Sequence, residues 1–279
     1  MNKIAVLTYH SHRFLGKSYE TNDHVALQDD LKMMHAEGFL IIPLYWVVEW
    51  YLGKREVSFP KCIAITFDDG CDLDWIDDQQ SQHEFTKSFR AILSDFKTEV
   101  GDQQPHLQAS SFVIGSPEAR RLINDETFLG MNLLTDNWWN AAEQSGLLQI
   151  YNHSWDHNHL AVSTACQKDN RRGCFDNIDT FDECQCEIKQ AGEYIRQKIH
   201  PGWPDLFAYP YGQSSQYLRE EYFPRFQEQH RTVAAFGAAG GYLTKGSSRW
   251  NLPRFVCSAP LSQGWRSPAE LREVLHGVE

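Results

Sequence analysis

Short apolar runs alternate with longer amphipathic stretches along the chain. The apolar runs read as strands at Ile4–Thr8, Phe39–Ile42, Cys62–Phe67, Ser110–Val113, Leu148–Tyr151, Leu206–Tyr209, Thr232–Phe236 and Arg254–Val256. Between them, apolar residues recur at helical spacing. A helix is expected from about Val25 to Glu37, with Leu27, Leu31 and Met34 on one face and Gly38 as its stop. Another is expected from about Asp182 to Ile199, where Cys184, Ile188, Ala191, Ile195 and Ile199 keep the period. A last helix is announced by Ser267-Pro268-Ala269-Glu270, a capping box with proline in the first turn. Strands alternating with helices imply an α/β fold with a parallel sheet. Periodicity alone does not separate a closed barrel from an open, doubly wound sheet.

Two stretches break this rhythm. Residues from about Cys71 to Pro105 are long for one connection and rich in Asp, Gln and Ser. Residues from about Ala161 to Thr180 carry charges and two cysteines with little apolar period. Both read as insertions over the carboxyl-terminal face of the sheet, where long loops shape specificity. No repeat, low-complexity tract or linker divides the chain, so residues 1–279 are read as one domain.

Composition narrows the function. Apolar residues make up 42% of the 279, enough for a sizeable core. The formal net charge is -11 and no basic cluster interrupts it, which argues against nucleic acid as a partner. No apolar run has membrane-spanning length. The segment Met1–Leu7 is too short before Thr8-Tyr9-His10 to be a signal peptide and reads as a first strand. A cytoplasmic location is therefore expected, or an extracytoplasmic form whose leader has been removed. Asp72, Asp74, Asp77 and Asp78 crowd one segment and read as a solvated loop; a sharper reading is an acidic rim that attracts an amine. Of the seven cysteines, Cys62 and Cys257 sit in apolar stretches as buried thiols. Cys166, Cys174, Cys184 and Cys186 lie close together and could form a disulfide pair or a second zinc site, but their spacing matches no metal motif, and an odd total without a leader favours reduced thiols.

The chemistry concentrates in two places. Thr66-Phe67-Asp68-Asp69-Gly70 puts two carboxylates and a glycine at the end of the buried run Cys62–Ile65. His153-Ser154-Trp155-Asp156-His157 puts two imidazoles four residues apart, just after another strand. One carboxylate with two histidines is a ligand set for zinc or a similar divalent ion, with positions left for water and substrate. The spare carboxylate is then a ready general base. Ser154 is expected to bond local backbone and hold the loop.

These two stretches resemble the first two motifs of the polysaccharide deacetylases, the NodB-homology proteins of carbohydrate esterase family 4. Phe207-Ala208-Tyr209-Pro210-Tyr211-Gly212 resembles the third motif, and Leu7-Thr8-Tyr9-His10 resembles the first strand of the poly-N-acetylglucosamine deacetylase branch. The likeness runs from about Ile4 to Val256. It implies a distorted (β/α) barrel of about seven parallel strands, a zinc-dependent hydrolysis of acetamides, and a carbohydrate substrate. It also implies the division of labour: Asp69, His153 and His157 hold the metal, Asp68 is the base, and the Tyr211 backbone N–H donates to the oxyanion.

The chain departs from the common pattern twice. Many relatives carry an arginine, which orients the catalytic aspartate, where this chain has Ala208. The late leucine-x-histidine motif that supplies the general acid is not evident; His276, after Val274-Leu275, reads as a surface residue. His10, at the carboxyl end of the first strand, is the candidate acid in its place. His159 is read as outside the ligand set. Nine tryptophans are many for this length, and Trp155 and Trp75 are expected nearest the metal as sugar-stacking faces. Rival readings are an O-acetyl esterase or non-sugar amidase on the same fold, and a glycan-binding protein that has lost catalysis. Oligomeric state is not legible.

Overall fold

The computed structural model describes residues 3–57, 61–77, 86–162, 171–200, 202 and 205–278. Ten strands form its sheet: β1 Lys3–Tyr9, β2 Leu40–Ile41, β3 Cys62–Phe67, β4 Ala109–Val113, β5 Leu148–Asn152, β6 Leu206–Ala208, β7 Ala234–Phe236, β8 Leu243–Thr244, β9 Phe255–Cys257 and β10 Gly264–Trp265. The main path runs β10-β9-β1-β3-β4-β5-β6-β7, with β2 beside β3 and β8 beside β1. Every pairing is parallel except β1 with β8. A parallel bridge from Phe236 to Leu252 links the β7 edge to the segment that leads into β9. The sheet thereby curls into a distorted (β/α) barrel. Its path holds eight strands rather than about seven; β10 is too short for periodicity to reveal.

Alternation along each strand divides the core into layers. Ile4 and Val6 of β1, Ala64 of β3, Phe112 of β4 and Phe236 of β7 share the inner face and pack with helix Leu44–Tyr51. Ala5, Leu7 and Tyr9, with Ile63, Ile65 and Phe67, face outward against the helices Asp23–Ala36, Phe89–Val100, Trp139–Ser145 and Pro268–His276. Strands covered on both faces explain the uninterrupted apolar runs.

Helix boundaries follow capping chemistry. The first helix starts at Asp23 because the Asn22 side chain accepts from the amides of His24 and Val25. Ser267 caps the last by accepting from Glu270 N–H. The long helix expected from Asp182 comprises Phe181–Cys184, a π-type segment Gln185–Gln190 and Ala191–Lys198. The stretch 71–105 is not wholly an insertion: it contains the amphipathic helix Phe89–Val100, whose buried Phe89, Ile92, Leu93 and Phe96 join the outer layer.

The aspartates of that stretch are also not a solvated rim. Asp72 is buried and accepts from Thr135 and from the Trp138 indole. Asp74 is fully buried and accepts from Ser11 and Ser111. Both are struts that tie loops together, because a buried carboxylate must find donors. Asp78 and Cys166 lie outside the described residues. The expectation of reduced thiols fails at Cys186, which is disulfide-bonded. Cys62, Cys71, Cys174, Cys184 and Cys257 are free. Among the described residues, no helix is long and apolar enough to cross a membrane.

Candidate active site

Parallel strands deliver the functional side chains to one end of the barrel. Tyr9 of β1 pairs with Phe67 of β3, so His10 and Asp68 emerge from neighbouring strands at one level. His153 follows β5 directly, and Tyr211 lies three residues beyond β6. There they line a cavity of about 520 Å³ that holds His10, Asp68, Asp69, His153, His157 and Tyr211.

Adjacent residues on a strand face opposite ways, so a continuing β3 would separate the two carboxylates. The chain avoids this by leaving the strand in the left-handed region, with φ of 74° at Asp69 and 67° at Gly70. A Cβ at Gly70 would fall 2.7–2.9 Å from Cγ1, Cβ and Cα of Val113, so only glycine fits. Ser154, His157 and Tyr211 also have positive φ. Non-glycine residues in that region cost energy, and their clustering here marks a backbone shaped for its site.

Asp69, His153 and His157 form the metal-type cluster of the described residues, with ligand atoms within 4.8 Å of one another. Asp69 Oδ1 lies 3.4 Å from His153 Nε2 and 3.3 Å from His157 Nε2. His153 Nδ1 is 2.9 Å from the Ala208 carbonyl, which fixes the proton on Nδ1 and leaves the Nε2 lone pair free. The segment between the histidines is pinned. Ser154 Oγ accepts from His157 N–H at 2.9 Å, and Asn152 Oδ1 accepts from Ser154 N–H at 2.9 Å. Glu187 accepts from the amides of Trp155 and Asp156, and Arg172 pairs with Asp156 at 2.9 Å. This donor set of one carboxylate and two neutral imidazoles fits a divalent ion such as zinc.

Burial alone would raise the Asp69 carboxyl, but the imidazoles of His12, His153 and His157 set against it outweigh that and hold the group well below the usual range. Burial lowers His157 and would lower His153, which the charges of Asp68 and Asp69 instead raise.

Asp68 is buried and paired with Arg254. The guanidinium donates to Oδ1 at 2.7 Å and to Oδ2 at 2.8 Å. Arg254 is itself fully buried, donates to Thr66 Oγ1 at 3.2 Å and the Gly237 carbonyl at 3.0 Å, and stacks over Phe112. Burial would raise Asp68, yet Arg254, His153 and His10 prevail and its pKa is lowered. Arg254 thus supplies the orientation that Ala208 cannot. Motif reading missed it, although a lone charge inside the apolar stretch Leu252–Val256 is a signal: a buried cation needs a partner.

His10 lines the cavity outside the ligand cluster. Burial lowers its pKa against the upward pull of Asp69. His12 was not anticipated, and its Nδ1 lies 3.2 Å from Asp69 Oδ2. His159 lines the cavity, its ring 6.1 Å from that of His157, outside the cluster. The Tyr211 ring meets His157 edge-on at 4.5 Å. No described tryptophan lines the cavity. Trp155 packs on Tyr194, and Trp75 lies under Arg90, so the expectation for both is corrected. His276 is exposed near Glu37.

A family model described as polysaccharide deacetylase matches residues 56–222, more than half of the chain. Comparison with curated proteins found no match. Among solved structures, the chain is similar to the Streptococcus pyogenes deacetylase PplD in complex with acetate. That match has 16% identity and a TM-score of 0.65, and covers 98% of each chain. It is also similar to a de-N-acetylase from Aggregatibacter actinomycetemcomitans, at 13% identity and TM-score 0.61, covering 98% of this chain and 99% of that one. Against a longer Bacillus anthracis chain it covers 91% of itself but 64% of that chain, at 16% identity and TM-score 0.58. These likenesses establish the fold.

Proposed function

The chain belongs to the polysaccharide deacetylase family, and we propose that it is a metal-dependent hydrolase that removes acetyl groups from N-acetylated sugars or polysaccharides, releasing acetate. One observation carries this reading: Asp69, His153 and His157 converge, and with a second carboxylate, Asp68, they line one cavity. Acetate in PplD and the name of the de-N-acetylase support the same chemistry.

A divalent ion held by Asp69, His153 and His157 would supply Lewis acidity and a water acidic enough to lose a proton near neutrality. The residues of the chain do the rest. Asp68 accepts the water proton; Arg254 keeps it ionised and aimed by occupying both oxygens from one side. The backbone N–H of Tyr211 donates to the oxyanion as the acetyl carbon becomes tetrahedral. His10 hands a proton to the departing amine nitrogen, which is a very poor leaving group without it. The apolar wall formed by Ile114, Ile123, Phe128 and Leu134 limits water around the reacting acyl group.

The test is an acetate-release screen over N-acetylglucosamine oligomers, polymers and O-acetylated sugars, run with metal analysis of the same sample. Metal-dependent acetate release from N-acetyl substrates, absent in Asp68→Asn, is expected. Release from O-acetyl sugars alone would make the protein an esterase. Tight glycan binding without release would make it a binding protein.

A further inference from the structure

Asp69 meets imidazoles on both of its oxygens. Oδ1 faces the Nε2 atoms of His153 and His157 at 3.4 and 3.3 Å, whereas Oδ2 faces His12 Nδ1 at 3.2 Å. We propose that His12 is a positioning residue for the metal site: its Nδ1–H donates to Asp69 Oδ2 and so presents Oδ1 to the ion. The inference rests on the reading of Asp69, His153 and His157 as the ligands.

The need for such a residue follows from the differences among the three ligands. His153 is held by the Ala208 carbonyl, and the side chains of His153 and His157 are 2% and 10% exposed. Asp69 is 20% exposed and sits just past a strand end on a left-handed backbone. A carboxylate turns readily about its last torsion, which is broad and two-fold. Left alone it would offer either oxygen, or both, to a cation. A donor fixed on one oxygen removes that freedom, as partners of metal ligands generally do.

His12 is built for this task. Its buried Nδ1 has no completed hydrogen bond among the described residues, and Asp69 Oδ2 approaches it at 3.2 Å. Its ring is set by two neighbours, His10 at 5.4 Å and Phe128 at 5.9 Å between centroids. The turn that carries it is closed by Arg13 N–H donating to the His10 carbonyl at 3.0 Å, and anchored by His10 N–H donating to Asp23 at 2.9 Å. His12 is not itself in the cluster of mutually close ligand atoms, which favours a donor to Asp69 over a fourth ligand.

The test is zinc affinity, measured by competition with a chelator, in the wild-type protein, His12→Phe and His12→Asn. Phenylalanine keeps the ring and removes the donor; asparagine places an amide N–H near the Nδ1 position. His12→Phe should weaken zinc by about 10–100-fold, and His12→Asn should recover most of that loss. The melting temperature of the zinc-free protein should change little among the three, since His12 is 30% exposed. Wild-type affinity in His12→Phe would overturn the proposal. So would equal losses in both variants with one fewer nitrogen around zinc by X-ray absorption, which would make His12 a ligand. Absence of zinc binding in the wild-type protein would instead overturn the ligand assignment beneath it.

Discussion

Replacing Arg254 by methionine should damage both stability and the base, in a way that can be separated. The guanidinium is fully buried and donates to both oxygens of Asp68, to Thr66 and to Gly237. Removing one member of a buried pair leaves the other charge uncompensated and typically costs about 3–5 kcal/mol. For a domain of this size that is a drop in melting temperature of roughly 6–20 °C. The pH dependence should also change sign. In the wild-type protein the Asp68 pKa is lowered, so its stabilising contribution is present above the unfolded value and is lost as pH falls through the folded one. Without Arg254, burial dominates and raises the pKa, so the folded state favours the protonated acid and loses stability as pH rises through the new value. The acid limb of the pH–rate profile should move up with it. Denaturant melts and initial rates from pH 4 to 8 would read both effects. The double variant Asp68→Asn/Arg254→Met should be less destabilised than Arg254→Met alone, because the stranded charge is gone. A cost under about 1 kcal/mol with an unmoved acid limb would refute the reasoning, since no exposed or weakly coupled pair behaves as a buried bidentate one does.

Asp68→Asn should retain metal and lose about a hundredfold to ten-thousandfold in turnover, whereas Asp69→Asn should lose metal; unchanged zinc content in the latter, by elemental analysis, would reverse the assignment. His10→Ala should slow an N-acetyl substrate more than an activated O-acetyl ester, whose leaving group needs little protonation, and equal losses would indicate a structural role. Burial raises Asp30 to about 7 against donation from Tyr19, Tyr9 and Trp265, so its contribution to stability should be lost as pH rises from about 4 toward 7. Asp30→Asn should flatten that part of a melting-temperature profile, and a profile as steep as wild type would exclude Asp30 as its source. Gly70→Ala should destabilise by several-fold more than the roughly 1 kcal/mol typical of a point mutation, because backbone and Val113 both oppose the new Cβ; near-normal denaturant stability would contradict the packing at that turn.

The local order of this protein was legible in its sequence. Buried parallel strands read as apolar runs, and each run found lies within two residues of an observed strand boundary for β1, β3, β4 and β5. The Thr66–Gly70 and His153–His157 stretches pointed to the proposed chemistry because metal ligation and base catalysis restrict residue type as well as spacing. The helix start at Ser267 was announced by its capping residue, whereas the start expected for the first helix, at about Val25, misses the Asn22 cap and falls two residues late. These are short-range effects, set by neighbours along the chain.

What the fold decided was everything that joins distant segments. Arg254 reaches Asp68 across 186 positions, and no local pattern records that the guanidinium absent at Ala208 returns just ahead of β9. Asp72 and Asp74 look like a solvated run until Thr135, Trp138, Ser11 and Ser111 are brought to them. Trp155 and Trp75 stand in the sequence beside the motifs yet pack away from the cavity. His12 gains its role only when β1 and β3 lie side by side and set it against Asp69. A strand or a cap is fixed by torsions and hydrogen bonds between near residues; a partner for a buried charge is fixed by which strands the sheet makes neighbours.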